Sequence, residues 1–175
     1  MVLRDVEIAP GAAGADPFGE ALRSGAVDVV TGPPIAGADA FRICEVRVIC
    51  AVPSRHPWRK EPRVEVEQLR DRPLLTSPAH FFSRGALEQA CRGRGFKPLI
   101  EIESVNPSVL VELGRHGIGL PVIASDAVPR PNRPWPVVVD RDRPLRTKVW
   151  LSSRSPRDPS LNAFVDIAQD MAVTM

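Results

Sequence analysis

From Pro73 to Ser125 the chain repeats one pattern of short apolar runs separated by helix starts and glycine-marked stops. PLLT reads as a strand, and SPAH leads into a helix, FFSRGALEQACR, closed by the glycines of RGRGF. KPLIEIES is the next strand. Asn106-Pro107 then sets a capping side chain directly before a proline at the first helical position, so PSVLVELGRH starts there and stops at Gly117. GLPVIAS closes the series as a third strand. Short strands that alternate with helices predict a parallel sheet, because parallel neighbours need a long crossover and a helix is the usual one. This excludes all-helical and all-antiparallel folds for the segment.

The flanking sequence follows a similar grammar. Residues 2–9, VLRDVEIA, alternate as a strand. Asp16-Pro17 is a cap followed by proline, and it predicts a helix over FGEALRSG that ends on Gly25. A short strand from Val27 to Val30 follows, so the opening reads as a right-handed parallel crossover. RICEVRVICAV is a strong strand that runs into the corner PSRHPWRK, and Pro57 is expected to end its ladder. VEVEQL is a short polar segment. Beyond the proline-rich loop ASDAVPRPNRPWP, PVVVD and LRTKVWLSS are two more strands. Asp158-Pro159 repeats the cap and opens a final helix with Leu161, Phe164, Val165, Ala168 and Met171 on one apolar stripe. The expected division is two α/β lobes: residues 1–72 with 151–175, and residues 73–150.

Composition narrows the function. The chain has 175 residues, enough for one globular unit or two small lobes. Its 23 basic and 21 acidic residues leave a net charge of +2, too balanced to indicate nucleic-acid binding. No run approaches a membrane span, and MVLRDVEIAPG lacks the pattern of a secretory signal, so a cytoplasmic protein without membrane contact is expected. Cys44, Cys50 and Cys91 do not form a disulfide framework; Cys44 and Cys50 share a strand face with Val46 and Val48 and read as core. His56, His80 and His116 form no ligand cluster with them, so no metal and no cofactor is expected. His56 reads as a corner residue and His116 as a helix C-terminal cap. There is no nucleophile elbow, zinc-protease helix, phosphate loop or paired-cysteine motif, which argues against an enzyme.

The polar groups that remain point to one kind of place. SPAHFFSR and SVNPS each follow a strand of the second lobe, at its C-terminal edge, where open parallel sheets bind ligands. Helix N-termini there present free backbone N–H groups to anions. Ser77, Ser83, Ser104 and Asn106 add side chains, and Thr31 follows the VDVV strand at the equivalent edge of the first lobe. The plainer alternative is that these Ser and Asn side chains only cap their own helices.

At this point the chain resembles a family, the effector-binding domain of LysR-type transcriptional regulators. LRSGAVDVV, RVICAVPSRHPW with its His-Pro corner, VEQLRDRPLLTS, GALEQACRGRGFKPLIEIES, VLVELGRHGIGLPVI and LRTKVWLSSR resemble that family's successive motifs, in order, from about Val2 to Val173. Trp58 stands where the family mostly has Leu, and Ala124 near where it often has Pro. The resemblance implies a two-lobed, type 2 periplasmic-binding-protein-like α/β fold with an incomplete, N-terminally truncated first lobe. The family's helix-turn-helix, linker helix, and first effector-domain strand and helix are not matched. A sheet without that strand is expected to leave unpaired edges and exposed apolar surface.

The function implied is a small-molecule effector-binding module without its own DNA-binding domain. It would sense an anionic metabolite in a cleft between the lobes, and close on it. Thr31, Ser77, Phe82, Ser83, Asn106 and Pro107 match positions lining the family's effector site. A homodimer, or a dimer with related regulators, is the implied assembly, with no direct DNA binding by this chain. Three alternatives stand beside this: a dimerisation remnant without ligand, an enzyme on the same fold, and a periplasmic binding protein. The missing signal argues against the last.

Overall fold

The computed structural model describes residues 17–127, 134–155 and 158–174. The strand expected over residues 2–9, its crossover and the Asp16 cap lie outside the described residues. The elements in chain order are α1 (Pro17–Arg23), β1 (Val29–Gly32), β2 (Asp39–Cys50), β3 (Arg63–Glu65), β4 (Pro73–Thr76), α2 (Phe82–Gly93), β5 (Leu99–Glu103), α3 (Pro107–Arg115), β6 (Leu120–Ala124), β7 (Val137–Asp140), β8 (Arg143–Pro144), β9 (Arg146–Ser153) and α4 (Pro159–Thr174). The chain divides into two compact units, one of residues 45–147 and one of the segments up to Cys44 and from Lys148 onward.

In the 45–147 unit, β4 lies between β5 and β6 and is parallel to both, as the repeated pattern requires. The register sets Leu74 beside Leu120, and Thr76 beside both Val122 and Glu103. Every residue of β6 is buried, the mark of a strand covered on both faces. Alternation explains the two covers. Leu74, Val122, Val48 and Cys50 pack with Leu87 and Cys91 of α2, while Leu75, Ile123 and Ile49 pack with Leu110 and Val111 of α3. The second half of β2 closes the sheet antiparallel to β6, with Val48 opposite Ala124. β7 pairs with β2 at Ile49–Val137 and runs parallel to β3.

Three expectations need correction. The units divide inside β2 and β9, at Cys44–Glu45 and Thr147–Lys148, so residues 45–72 join the unit of β4–β6. The reason is pairing: β2 bonds to β6 and β3 to β7. The ladder of β2 also stops at Cys50, well before Pro57. VEVEQL, read as polar, buries Val64, Val66 and Leu69 completely or nearly so. A 3-10 turn over Val66–Leu69 eclipses its ends and aims both at the core. Two strands escaped the sequence reading, β3, in the segment read as polar, and β8. β8 hairpins from β7 through Arg141-Asp142, both at positive φ (51° and 62°), as type I′ turns require, yet without the usual Asn or Gly signal.

The other unit has its own core. β9 lies between β1 and β2, and β1 is antiparallel to β9, with Val29 opposite Ser153. Leu161 and Val165 of α4 pack on Leu151, with Val29, Phe41, Ile43, Phe164 and Ala168 around them. Asp158 caps α4 through Leu161 N–H at 2.8 Å, as expected. The Met171 side chain lies outside the described residues. Gly25, at φ 74°, follows the end of α1.

The PSRHPWRK corner is structural. His56 Nδ1 accepts a hydrogen bond from Trp58 N–H at 3.2 Å and caps a 3-10 turn over Pro57–Lys60. The ring meets Trp58 edge-on, with centroids 5.1 Å apart. Burial, then the Arg72 guanidinium, hold its pKa below the usual 6.5. A protonated Nδ1 could not accept that bond. The unfolded chain therefore binds more protons in the interval between the lowered folded value and 6.5. The corner's contribution to stability is whole above pH 6.5 and is lost as pH falls through the folded value. An NMR titration is expected to place the His56 midpoint below 6.5; a midpoint at or above it would contradict this reading.

Candidate functional site

The C-terminal ends of β4 and β5 meet at one edge of the 45–147 unit, because Ser104 N–H donates to Thr76 O at 3.1 Å. The segments that leave these strands lead to the N-termini of α2 and α3. Ser77, Phe82 and Ser83 therefore stand at the β4–α2 connection, and Asn106 and Pro107 at the β5–α3 connection. Ser77 and Ser83 are buried, Phe82 and Pro107 half-buried, and Asn106 exposed. Thr31 is an exposed residue of β1 in the other unit, opposite Leu151 of β9.

The two helix starts differ. At α3 the capping alternative is realised: Asn106 Oδ1 accepts from Ser108 N–H at 3.0 Å, and Asn106 N–H donates to Ser104 Oγ at 3.1 Å. Neither polar group needs a ligand. The residue before α2 is Phe81, whose side chain cannot cap, so the first N–H groups of α2 receive no side-chain acceptor from it. This is the helix start with anion-binding capacity to spare.

Arg84 locks this edge from within α2. Its side chain is 9% exposed. It donates to Glu88 Oε1 at 2.7 Å, to Glu103 Oε1 at 2.6 Å and to Ser77 O at 3.3 Å. One guanidinium thus ties the helix to the end of β5 and to the residue after β4. Its planar fork suits this task.

Thr76 was missed in the sequence. It ends the central strand and is fully buried, and its Oγ1 is the one buried side-chain oxygen or nitrogen among the described residues with no hydrogen-bond partner. Leaving such a group unsatisfied costs roughly 1–3 kcal/mol. In the sequence Thr76 is only the last residue of PLLT, and nothing local marks its hydroxyl as partnerless.

Metal ligation has no site among the described residues: no group of His, Cys, Asp and Glu there could hold a metal ion. Burial pushes the Cys50 thiol up to about 12 and the Cys91 thiol to about 11, so both stay protonated and inert at neutral pH. His116 is the exposed C-cap of α3, with Nε2 3.4 Å from Glu112 Oε1. No described helix is long and apolar enough to cross a membrane.

Comparison with known proteins adds the following. The family described as LysR substrate binding domain matches residues 5–172. The HTH-type transcriptional regulator XapR of Escherichia coli is 30% identical over 128 residues, covering 73% of this chain and 42% of that protein. The HTH-type transcriptional regulator AlsR of Bacillus subtilis is 28% identical over 81 residues, 45% of this chain and 27% of that protein. The chain thus spans less than half the length of either relative. Among solved structures, the cofactor-binding domain of the Cbl transcriptional regulator superposes with a TM-score of 0.69 at 16% identity, over 86% of this chain and 69% of that one. The Synechocystis CcmR regulatory domain, in complex with 2-PG, gives 0.71 at 12% identity, over 89% and 77%. At such identities the likeness establishes the fold, the two-lobed periplasmic-binding-protein-like α/β fold expected from the sequence.

Proposed function

Because this chain belongs to the LysR substrate binding domain family, matched from residue 5 to residue 172, we propose that it is the small-molecule-sensing part of a LysR-type transcriptional regulator. The effector is an organic anion that reaches the C-terminal edge of β4 and β5. The observation that carries this reading is the buried, partnerless Oγ1 of Thr76. It stands at the edge where parallel sheets bind ligands and is followed by the uncapped start of α2. An effector oxygen would accept from that hydroxyl, and the first N–H groups of α2 would face its charge. Ser77, Phe82 and Ser83 flank the same start; Asn106 and Pro107 border it, although Asn106 is already used as a cap. Thr31 stands as a contact on the family resemblance alone.

The module acts by binding, not turnover, and passes an equilibrium shift to DNA-binding machinery. A ligand can shift that equilibrium only by its differential affinity for two states. Cytoplasmic residence and association with a second copy, or with a related regulator, belong to the same proposal. The exposed side chains of Val105 and Val109, 65% and 44% accessible, are apolar surface consistent with association.

Two measurements test the reading. A thermal-shift screen of small carboxylates and phosphorylated metabolites is expected to find a stabiliser. At a concentration of 100 Kd it should contribute about 2.7 kcal/mol, or roughly 5–10 °C in Tm. A panel that stabilises nothing would count against a working sensor. Thr76→Val, without ligand, is expected to raise stability by about 1 kcal/mol, since it removes an unsatisfied hydroxyl and keeps the shape. A loss of stability instead would show that the hydroxyl has a partner.

A further inference from the structure

A cavity lies beside the segment that follows β2 in the 45–147 unit. Beyond β2 the chain continues through Ala51, whose N–H donates to Pro121 O at 2.8 Å, at the start of β6. The cavity therefore lies beside the start of β6, on the α3 side that Val111 and Arg115 line, and none of the residues around Thr76 lines it. Its volume is about 570 Å³, within the ~300–1,000 Å³ of typical small-molecule sites.

The lining combines an apolar floor with a basic rim. Ala51, Val52 and Val111 form the floor, with 2%, 1% and 9% of their surface exposed. Trp135 forms a wall, fixed by its Nε1–H donating to Val52 O at 3.2 Å. Arg55, Arg59 and Arg115 supply the charge, and no carboxylate lines the space among the described residues. Arg59 is held in place by donating to Pro134 O at 2.7 Å. Arg115 pairs with Glu112 at 3.0 Å, but both side chains are more than half exposed, so the pair is weak and exchangeable. Arg55 makes no hydrogen bond or ion pair among the described residues and is exposed.

We propose that this cavity is a second ligand site, which takes a small organic carboxylate with an apolar body. The guanidinium fork matches a carboxylate in two parallel hydrogen bonds. The buried floor would take the hydrocarbon part, which an inorganic anion would leave unused. The site is distinct from the effector edge: no residue is shared.

The test uses the full chain with 15N-labelled indoles. Trp58, Trp135 and Trp150 give the indole signals, and Trp135→Phe identifies one of them. Sodium phenylacetate is expected to shift the Trp135 signal along a saturable curve. Sodium chloride at equal ionic strength and inorganic phosphate should not. In the double variant Arg55→Gln, Arg115→Gln the apparent affinity should fall at least tenfold, with the remaining spectrum unchanged. In Thr76→Val the shift should persist, which separates this site from the effector edge. The proposal is overturned if phenylacetate gives no saturable shift, if chloride or phosphate reproduces it, if the double variant binds equally well, or if Thr76→Val abolishes it.

Discussion

Replacing Arg84 by methionine is expected to destabilise the protein by about 2–3 kcal/mol. Methionine keeps the apolar stem and helix propensity of the site but removes the guanidinium. Glu88, Glu103 and the Ser77 carbonyl would then lose their shared donor. Breaking a fully buried ion pair costs about 3–5 kcal/mol. The figure is lower here because Glu88 and Glu103 are 34% and 44% exposed and water can take over part of their solvation. The urea midpoint should fall with an unchanged slope. Arg84→Lys should recover only part of the loss, since one ammonium cannot reproduce the fork across two carboxylates. A midpoint for Arg84→Met within 0.5 kcal/mol of the parent, a bound set by ordinary surface substitutions, would show that the cluster is an ordinary surface ion pair.

Gly119→Ala is expected to cost about 1–3 kcal/mol, the range for overpacking a filled interior, and to fall at its upper end. A Cβ there would lie 2.7 Å from Pro73 O and 2.9 Å from Leu75 Cδ2. A leucine methyl can rotate away, but a backbone carbonyl of β4 cannot move without straining its ladders to β5 and β6. The glycines of the GIG motif thus serve different ends. Gly117 supplies the positive φ, 77°, that ends α3. Gly119 lets β6 begin close against β4. Chemical denaturation of both alanine variants checks this; an undestabilised Gly119→Ala would mean that β6 can shift freely.

Much of this arrangement is legible in the sequence because it is local. PLLT and GLPVIAS are strands by composition and length, and the Asn106-Pro107 cap needs only neighbouring residues. The His-Pro corner is equally local. What the sequence hides depends on tertiary neighbours. Thr76 matters because nothing bonds to its hydroxyl, which is a property of the packed interior. The division of the chain falls inside β2 and β9, so no turn or proline marks it. VEVEQL contains two buried valines and a buried leucine that only a 3-10 turn aligns. Arg55, Arg59 and Arg115 are brought to one cavity by the antiparallel return of β2 along β6.

The central claim is that the effector bonds to the end of β4. Calorimetric titration of the strongest stabiliser from the screen against the parent chain and Thr76→Val tests it directly. The expected result is at least a tenfold weaker Kd in the variant, about 1.4 kcal/mol for one lost buried hydrogen bond, although the variant itself is the more stable protein. An equal Kd in both proteins would contradict it and move the effector away from this edge.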